Sequence, residues 1–249
     1  MKSSTPDLTK LFSNTSYLYD PTLCLFKNIL TNLGKNISYY KMNKFYINLD
    51  SCPERKKYFD DSWKRWSATS RAEVNDFTVN KMISYHNVQM SYHLAKCGCF
   101  KSHTLLLQYI VNNKLNKVVI CEDDADQIQD FPDDLGDGFV YLGGYFLNKK
   151  RTEGEYKGEC GSVNGLNDLS DKNFDVCMTM SYYIGTWEVA SALLEEINSL
   201  KRWRAIDILY MNSKVPKKYY YPAIFRERPL GSTIRNNKRK YANQFYRIN

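Results

Sequence analysis

The sequence predicts an α/β protein, an open sheet with helices on its faces. Three observations carry that reading. Short apolar runs of buried-strand type recur at residues 45–49, 117–121, 139–142 and 177–184. Segments with apolar residues at helical spacing fall between them. The 249 residues, 43% hydrophobic and 25% charged, are enough for a full core in one domain with a modest extension. The same composition excludes collagen-like, low-complexity and disulfide-framework classes.

Residues 1–43 form an expected N-terminal helical extension. Within it Leu23, Phe26, Leu30 and Leu33 keep helical spacing ahead of Gly34, a helix stop. Lys27 alone is basic on that stretch, which favours packing against a domain over lying on a membrane, although peripheral membrane contact stays compatible. The main domain is expected over 44–249. Its first strand, Phe45-Tyr46-Ile47-Asn48-Leu49, gives way to Ser51-Cys52-Pro53-Glu54, which reads as a capping box opening a helix with Phe59, Trp63 and Trp66 on one face. A second helix is expected over about 100–113, with Leu106, Leu107 and Ile110 inward. The next strand stops abruptly at Glu122-Asp123-Asp124, and another ends at Gly143-Gly144. After the fourth strand, Thr186 caps a helix to about 199 through Val189, Leu193 and Ile197. Sheets of this kind bind ligands at the carboxyl ends of their strands.

Charge is distributed unevenly around the net +8. Residues 1–120 carry 17 Lys/Arg against 8 Asp/Glu, residues 121–175 carry 5 against 14, and residues 201–249 carry 13 against 2. An acidic middle between basic flanks suits a cation with an anion beside it rather than a nucleic-acid stripe. No apolar run reaches transmembrane length, and the N-terminus lacks a signal-peptide layout. The seven cysteines form no C-x-x-C pair. A cytoplasmic protein with reduced thiols is expected.

Adjacent carboxylates at a strand end repel one another, so Glu122-Asp123-Asp124 suggests Mn²⁺ or Mg²⁺, hard ions that take carboxylates plus phosphate oxygens. Ser102 and His103, expected in the first turn of their helix, suit an anion at free backbone N–H groups. Arg55, just past the first strand, suits a phosphate. Asp207, an acid among Ala205, Ile206, Ile208 and Leu209, suits general-base work or a structural role. A rival set, His93-x3-Cys97-x-Cys99-x3-His103, offers two His and two Cys to zinc.

Taken in order, these segments resemble glycosyltransferase family 25, over roughly residues 44–235. Ile47-Asn48-Leu49-Asp50 with Glu54-Arg55 is similar to the family's "INLD…ER" opening, Gly98-Cys99 with Ser102-His103 to its "GCxxSH" block, and Val119 through Asp124 to its "vlEDD" block. Thr179 and Tyr182 fit "T-x-x-Y-x-I", Ile206-Asp207 fits its "(V/I)-D", and Pro222-Ala223 fits its late strand. The resemblance implies a GT-A-like fold, a nucleotide-sugar donor (UDP-linked), a glycan or glycoprotein acceptor, and inversion at the anomeric carbon. It also implies that the acidic block corresponds to the D-x-D element holding Mn²⁺ on the donor diphosphate. Glu122 and Asp124 are then the metal ligands. Asn48, Leu49, Arg55, Ser102, His103 and Asp123 meet the donor, Asp207 is the base, and Arg226, Arg228 and Arg235 screen the diphosphate or an anionic acceptor. Two departures stand out: Cys121 replaces an apolar or aromatic residue, and no His follows His103 to serve as a late metal ligand. The competing readings are a catalytically inactive binding or scaffold protein of the same fold and, further off, a zinc-stabilised interaction module.

Overall fold

Alternation of side chains along four buried strands sets the architecture. In the computed structural model, which describes residues 42–83, 89–148 and 162–230 (side chains of 148 and 178–180 excepted), Phe45 and Ile47 point to one face of the sheet and Tyr46 to the other. Val118 and Ile120 alternate likewise with Val119 and Cys121, as do Phe139 and Tyr141 with Val140 and Leu142. Strands covered on both sides read as continuous apolar runs, which is why the sequence displays them so plainly.

In chain order the elements are β1 (Asn43–Asn48), a 3-10 helix (Pro53–Tyr58), β2 (Trp63–Ser67), a 3-10 turn (Arg71–Glu73), α1 (Asp76–Lys81), α2 (Met90–Asn112), β3 (Val118–Glu122) and β4 (Ala125–Gln127). They continue with β5 (Phe139–Asn148), β6 (Gly165–Asp168), β7 (Phe174–Ile184), α3 (Trp187–Ser199), α4 (Ile206–Asn212), β8 (Lys217–Tyr221) and β9 (Phe225–Glu227). Seven strands form a mixed open sheet in the order β2-β1-β3-β7-β5-β8-β6, and β4 pairs with β9 in a separate ribbon. β1 runs parallel to β2 and β3, whereas β7 is antiparallel to both β3 and β5. Helices α2 and α3 close one face through Phe100, Leu106, Leu107, Ile110, Leu193 and Ile197. The other face is closed by Phe59, Trp63, Phe131, Ile224 and Phe225, from loops, a strand edge and the ribbon. Among the described residues no helix is long and apolar enough to cross a membrane.

The chain divides into two units, Met1–Lys41 and Met42–Asn249. The helix expected over 21–33, like Arg235, lies outside the described residues. Four expectations need correction. The helix expected after Ser51 is one short 3-10 helix with Cys52 as its N-cap and no side-chain cap bond. Trp63 and Trp66 belong instead to β2, where a spacing of three sends them to opposite faces, each against its own cluster. Helix α2 begins at Met90, ten residues before its expected start. β5 does not end at Gly143-Gly144 but runs on to Asn148 through two irregularities in its pairing with β7. Pro222 and Ala223 lie between β8 and β9 rather than on a strand. Thr186 does sit at the N-cap of α3, though without a side-chain cap bond.

Gly185 allows a close backbone crossing where β7 leaves the sheet: a Cβ there would stand 2.2–2.5 Å from the backbone of Asp137. Backbone cannot yield as a flexible side chain does. Gly185→Ala is therefore expected to cost about 1–3 kcal/mol and to lower the melting temperature by roughly 3–10 °C. Gly138→Ala, with nothing within 4 Å of its Cβ, should leave it almost unchanged. Thermal melts of both variants check the contrast; equal losses would refute it.

Candidate active site

The parallel register of β1 and β3 pairs Ile47 with Glu122, so the next residues, Asn48 and Asp123, also stand side by side. Both side chains are buried, and Asn48 Nδ2 donates to Asp123 Oδ2 at 2.8 Å. Arg55, brought back by the 3-10 helix, donates from Nη1 to Asp123 Oδ1 at 2.6 Å. The same Asn48 amide also donates to the Cys52 carbonyl at 3.1 Å, fixing the loop that carries Arg55. From β2, Arg65 Nε donates to Asn48 Oδ1 at 3.0 Å and Arg65 also engages Asp50. Bonds from Arg65 and Ser67 hold the Asp50 carboxyl below its ordinary pKa. Burial pushes the Asp123 carboxyl up, only partly offset by the bonds from Asn48 and Arg55.

This lock uses both carboxylate oxygens of the middle acid. Its neighbours are placed differently. Glu122 lies on the helix-covered side, with Oε1 3.5 Å from His103 Nε2 and 3.9 Å from Cys99 Sγ. Asp124 opens the turn into β4, where its carbonyl accepts from the Arg228 N–H at 2.6 Å. Arg226 and Arg228 both bond the Asp126 carboxylate at 2.8 Å, and the Arg228 guanidinium stacks 4.3 Å from the Tyr58 ring centroid. The β4–β9 ribbon is thus fastened behind the acidic turn.

The block Gly98-Cys99-x-x-Ser102-His103 sits in the middle of α2, so the anion site expected at a helix N-terminus does not exist there. Its residues have other work. A Cβ on Gly98 would lie 2.5 Å from the Thr69 carbonyl, so glycine lets the loop after β2 press onto the helix. Ser102 ties down the same loop: Oγ accepts from the Thr69 N–H at 2.8 Å and donates to the Gly98 carbonyl at 2.7 Å. One turn apart on the same helix face, Cys99 and His103 look toward Glu122. A pocket results, lined by Leu49, Thr69, Arg71, Cys99, Ser102, His103, Glu122 and Asp123 among others.

Asp207 occupies the first turn of α4, half-buried, and accepts the Ile208 N–H at 2.9 Å. Its charge reaches the pocket. Burial, then the carboxylates of Glu122, Asp207 and Asp124, push the Cys99 thiol well above its ordinary pKa. Burial, then Asp175 and Asp207, do the same for the Tyr141 hydroxyl. The structure therefore gathers Leu49, Ser102, His103, Glu122 and Asp123 around one pocket and brings the charges of Asp124 and Asp207 to bear on its wall. It leaves Asn48 and Arg55 behind that wall. The zinc set falls apart: His93 and His103 are ten residues apart on one helix, about 15 Å along its axis, and His93 faces the Val79 carbonyl at 3.5 Å. The side chain of Thr179 lies outside the described residues.

Sequence reasoning missed Arg65, Thr69 and Arg71, because assigning β2 as helix hid which side of that segment meets the strand ends. It also missed the relay from His103 Nδ1 to Tyr182 at 2.8 Å and from Tyr182 to Tyr210 at 3.0 Å, which joins residues far apart in the chain.

Residues 41–210 match the family model described as glycosyltransferase family 25 (LPS biosynthesis protein). No curated protein matches the chain at a significant level.

Removing one partner of a buried ion pair strands the other, a loss of about 3–5 kcal/mol. Arg55→Ala is expected to destabilise the domain by that order, with Asp123→Asn in the same background restoring part of it. Urea unfolding of the single and double variants measures the effect. A loss under about 1 kcal/mol, the worth of an exposed pair, would contradict the lock.

Proposed function

The chain belongs to glycosyltransferase family 25, and we propose that it transfers a hexose, galactose or glucose, from a UDP-sugar to a glycan or glycoprotein acceptor with inversion. The observation that supports this reading is the pocket at the carboxyl edge of the sheet, lined by Glu122 and Asp123, with the charges of Asp207 and Asp124 acting on Cys99 in its wall.

The donor set suits a divalent cation. Asp123 has both oxygens committed to Arg55 and Asn48, so the clamp is assigned to the acids flanking it. Glu122 and Asp124 would hold the ion, with donor phosphates completing its shell. Bound there, Mn²⁺ or Mg²⁺ supplies Lewis-acid stabilisation of the departing diphosphate.

The remaining work falls to the chain itself. Leu49, Thr69 and Arg71 line the donor pocket, with Arg71 a cation suited to phosphate oxygens. Ser102 holds the Thr69 loop in place, while Asn48 and Arg55 act from behind by fixing Asp123. Asp207 takes the proton from the acceptor hydroxyl as that oxygen attacks the anomeric carbon opposite the leaving diphosphate. One base and one displacement give inversion. A cytoplasmic location, where nucleotide sugars are made, accords with this reading.

Asp124→Ala is expected to abolish Mn²⁺-dependent UDP binding in calorimetry while the fold persists; unchanged affinity would remove the clamp from the account. Asp207→Asn keeps shape and loses the proton acceptor. Transfer, followed with a panel of UDP-hexoses and glycan acceptors, should fall by at least about 10²-fold, with UDP affinity and melting temperature nearly unchanged. Near-normal turnover would shift the base to another acid. A protein that binds no nucleotide sugar with Mn²⁺ present would instead be a scaffold.

A further inference from the structure

The pairs His93/Cys97 and Cys99/His103 each have a spacing of four, but among the described residues only the second meets a third donor. Cys99 Sγ, His103 Nε2 and Glu122 Oε1 all lie within 4.8 Å of one another, with Glu122 Oε1 3.5 Å from the nitrogen and 3.9 Å from the sulfur. A tetrahedral zinc ion, with bonds of about 2.0–2.3 Å, separates its ligand atoms by roughly 3.3–3.7 Å. Glu122 thus stands within a few tenths of an ångström of the spacing that zinc imposes on both partners.

His103 supplies an independent sign. The ring is 2% exposed, and among the described residues Nε2 makes no hydrogen bond. A buried ring nitrogen left so is costly unless a ligand completes it. Its other nitrogen is held by the Tyr182 hydroxyl, itself bonded to Tyr210. An outer bond of this kind orients a metal-binding imidazole, presenting the Nε2 lone pair when Nδ1 carries the proton. The charges acting most strongly on Cys99 are the carboxylates of Glu122, Asp207 and Asp124, a field that attracts a cation.

We propose that Cys99, His103 and Glu122 form a zinc site in the wall of the pocket. All three donors line that pocket, so a fourth ligand, water or a substrate oxygen, enters from it. As the zinc–sulfur bond forms, the Cys99 thiol proton passes to the buffer. Nitrogen and sulfur donors distinguish the site from the hard-cation clamp, which selects oxygen. Glu122 is common to both, so zinc is set by Cys99 and His103 and the hard cation by Asp124.

The test uses the full chain, stripped with chelator and titrated with Co²⁺ alone, without nucleotide. One equivalent should produce a thiolate-to-cobalt charge-transfer band and the visible bands of a four-coordinate ion, both abolished by added Zn²⁺. Cys99→Ser should remove the charge-transfer band. His103→Gln should weaken binding at least about tenfold, and Tyr182→Phe by about tenfold. Cys97→Ser should leave spectrum and affinity unchanged, and Asp124→Ala should leave the spectrum unchanged with only a small fall in affinity, with circular dichroism establishing that each variant is folded. Absence of a charge-transfer band in the folded wild type would overturn the proposal, as would its persistence in Cys99→Ser. Loss of cobalt binding in Asp124→Ala would assign the ion to the clamp and refute a separate site. None of these outcomes depends on sugar transfer, so the two readings fail separately.

Discussion

The ion pair of Arg55 with Asp123, closed by the Asn48 amide, is the constraint on which the carboxyl edge of the sheet depends. Three carboxylates in a row would repel one another, and a strand cannot send all three to one place. Committing the middle one to a buried guanidinium relieves that crowding and welds the end of β1 to the end of β3. Glu122 is left on the helix side, in line with Ile120, and Asp124 is left to open the turn into β4. A buried pair of this kind contributes little net stability but is costly to break, so its value lies in fixing positions.

A second constraint meets the first from the helix side. The loop after β2 is held to β1 by the Ala68 N–H on the Asn48 carbonyl at 3.0 Å, and to α2 by the Thr69 N–H on Ser102. Gly98 makes the approach possible. Within the Gly98-to-His103 block, then, two residues seat a loop and two face the pocket. Asn48 takes part in both constraints, so the lock and the loop move together or not at all. Behind the acidic turn, the arginines of β9 on Asp126 close the opposite side.

Much of this was legible in the sequence. The four central strands were, because burial on both faces leaves an unbroken apolar run. The acidic stop after β3 marked the strand end where the pocket opens, and Asp207 stood out among aliphatic neighbours. Other parts were hidden for physical reasons. Trp63 and Trp66 are spaced three apart, which suits one face of a helix or two faces of a strand, and only the register with β1 decides. The first ten residues of α2 bury His93, Ala95, Cys97 and Gly98, small or polar residues that make no apolar stripe, so its true start was invisible. The bond of Arg55 to Asp123 was hidden because its partner lies 68 residues away, across a strand pairing that no local pattern records.

The chemistry of this site turns on whether a nucleotide sugar sits at this edge of the sheet. Hydrogen exchange of the wild-type protein with UDP and Mn²⁺, compared with the protein alone, tests that most directly. Added protection is predicted in the segments 47–50, 67–71, 95–103 and 122–126, which surround the pocket, and not along β6 or α3. Protection confined to segments remote from the Glu122–Asp124 turn, or no change at saturating nucleotide and metal, would contradict it.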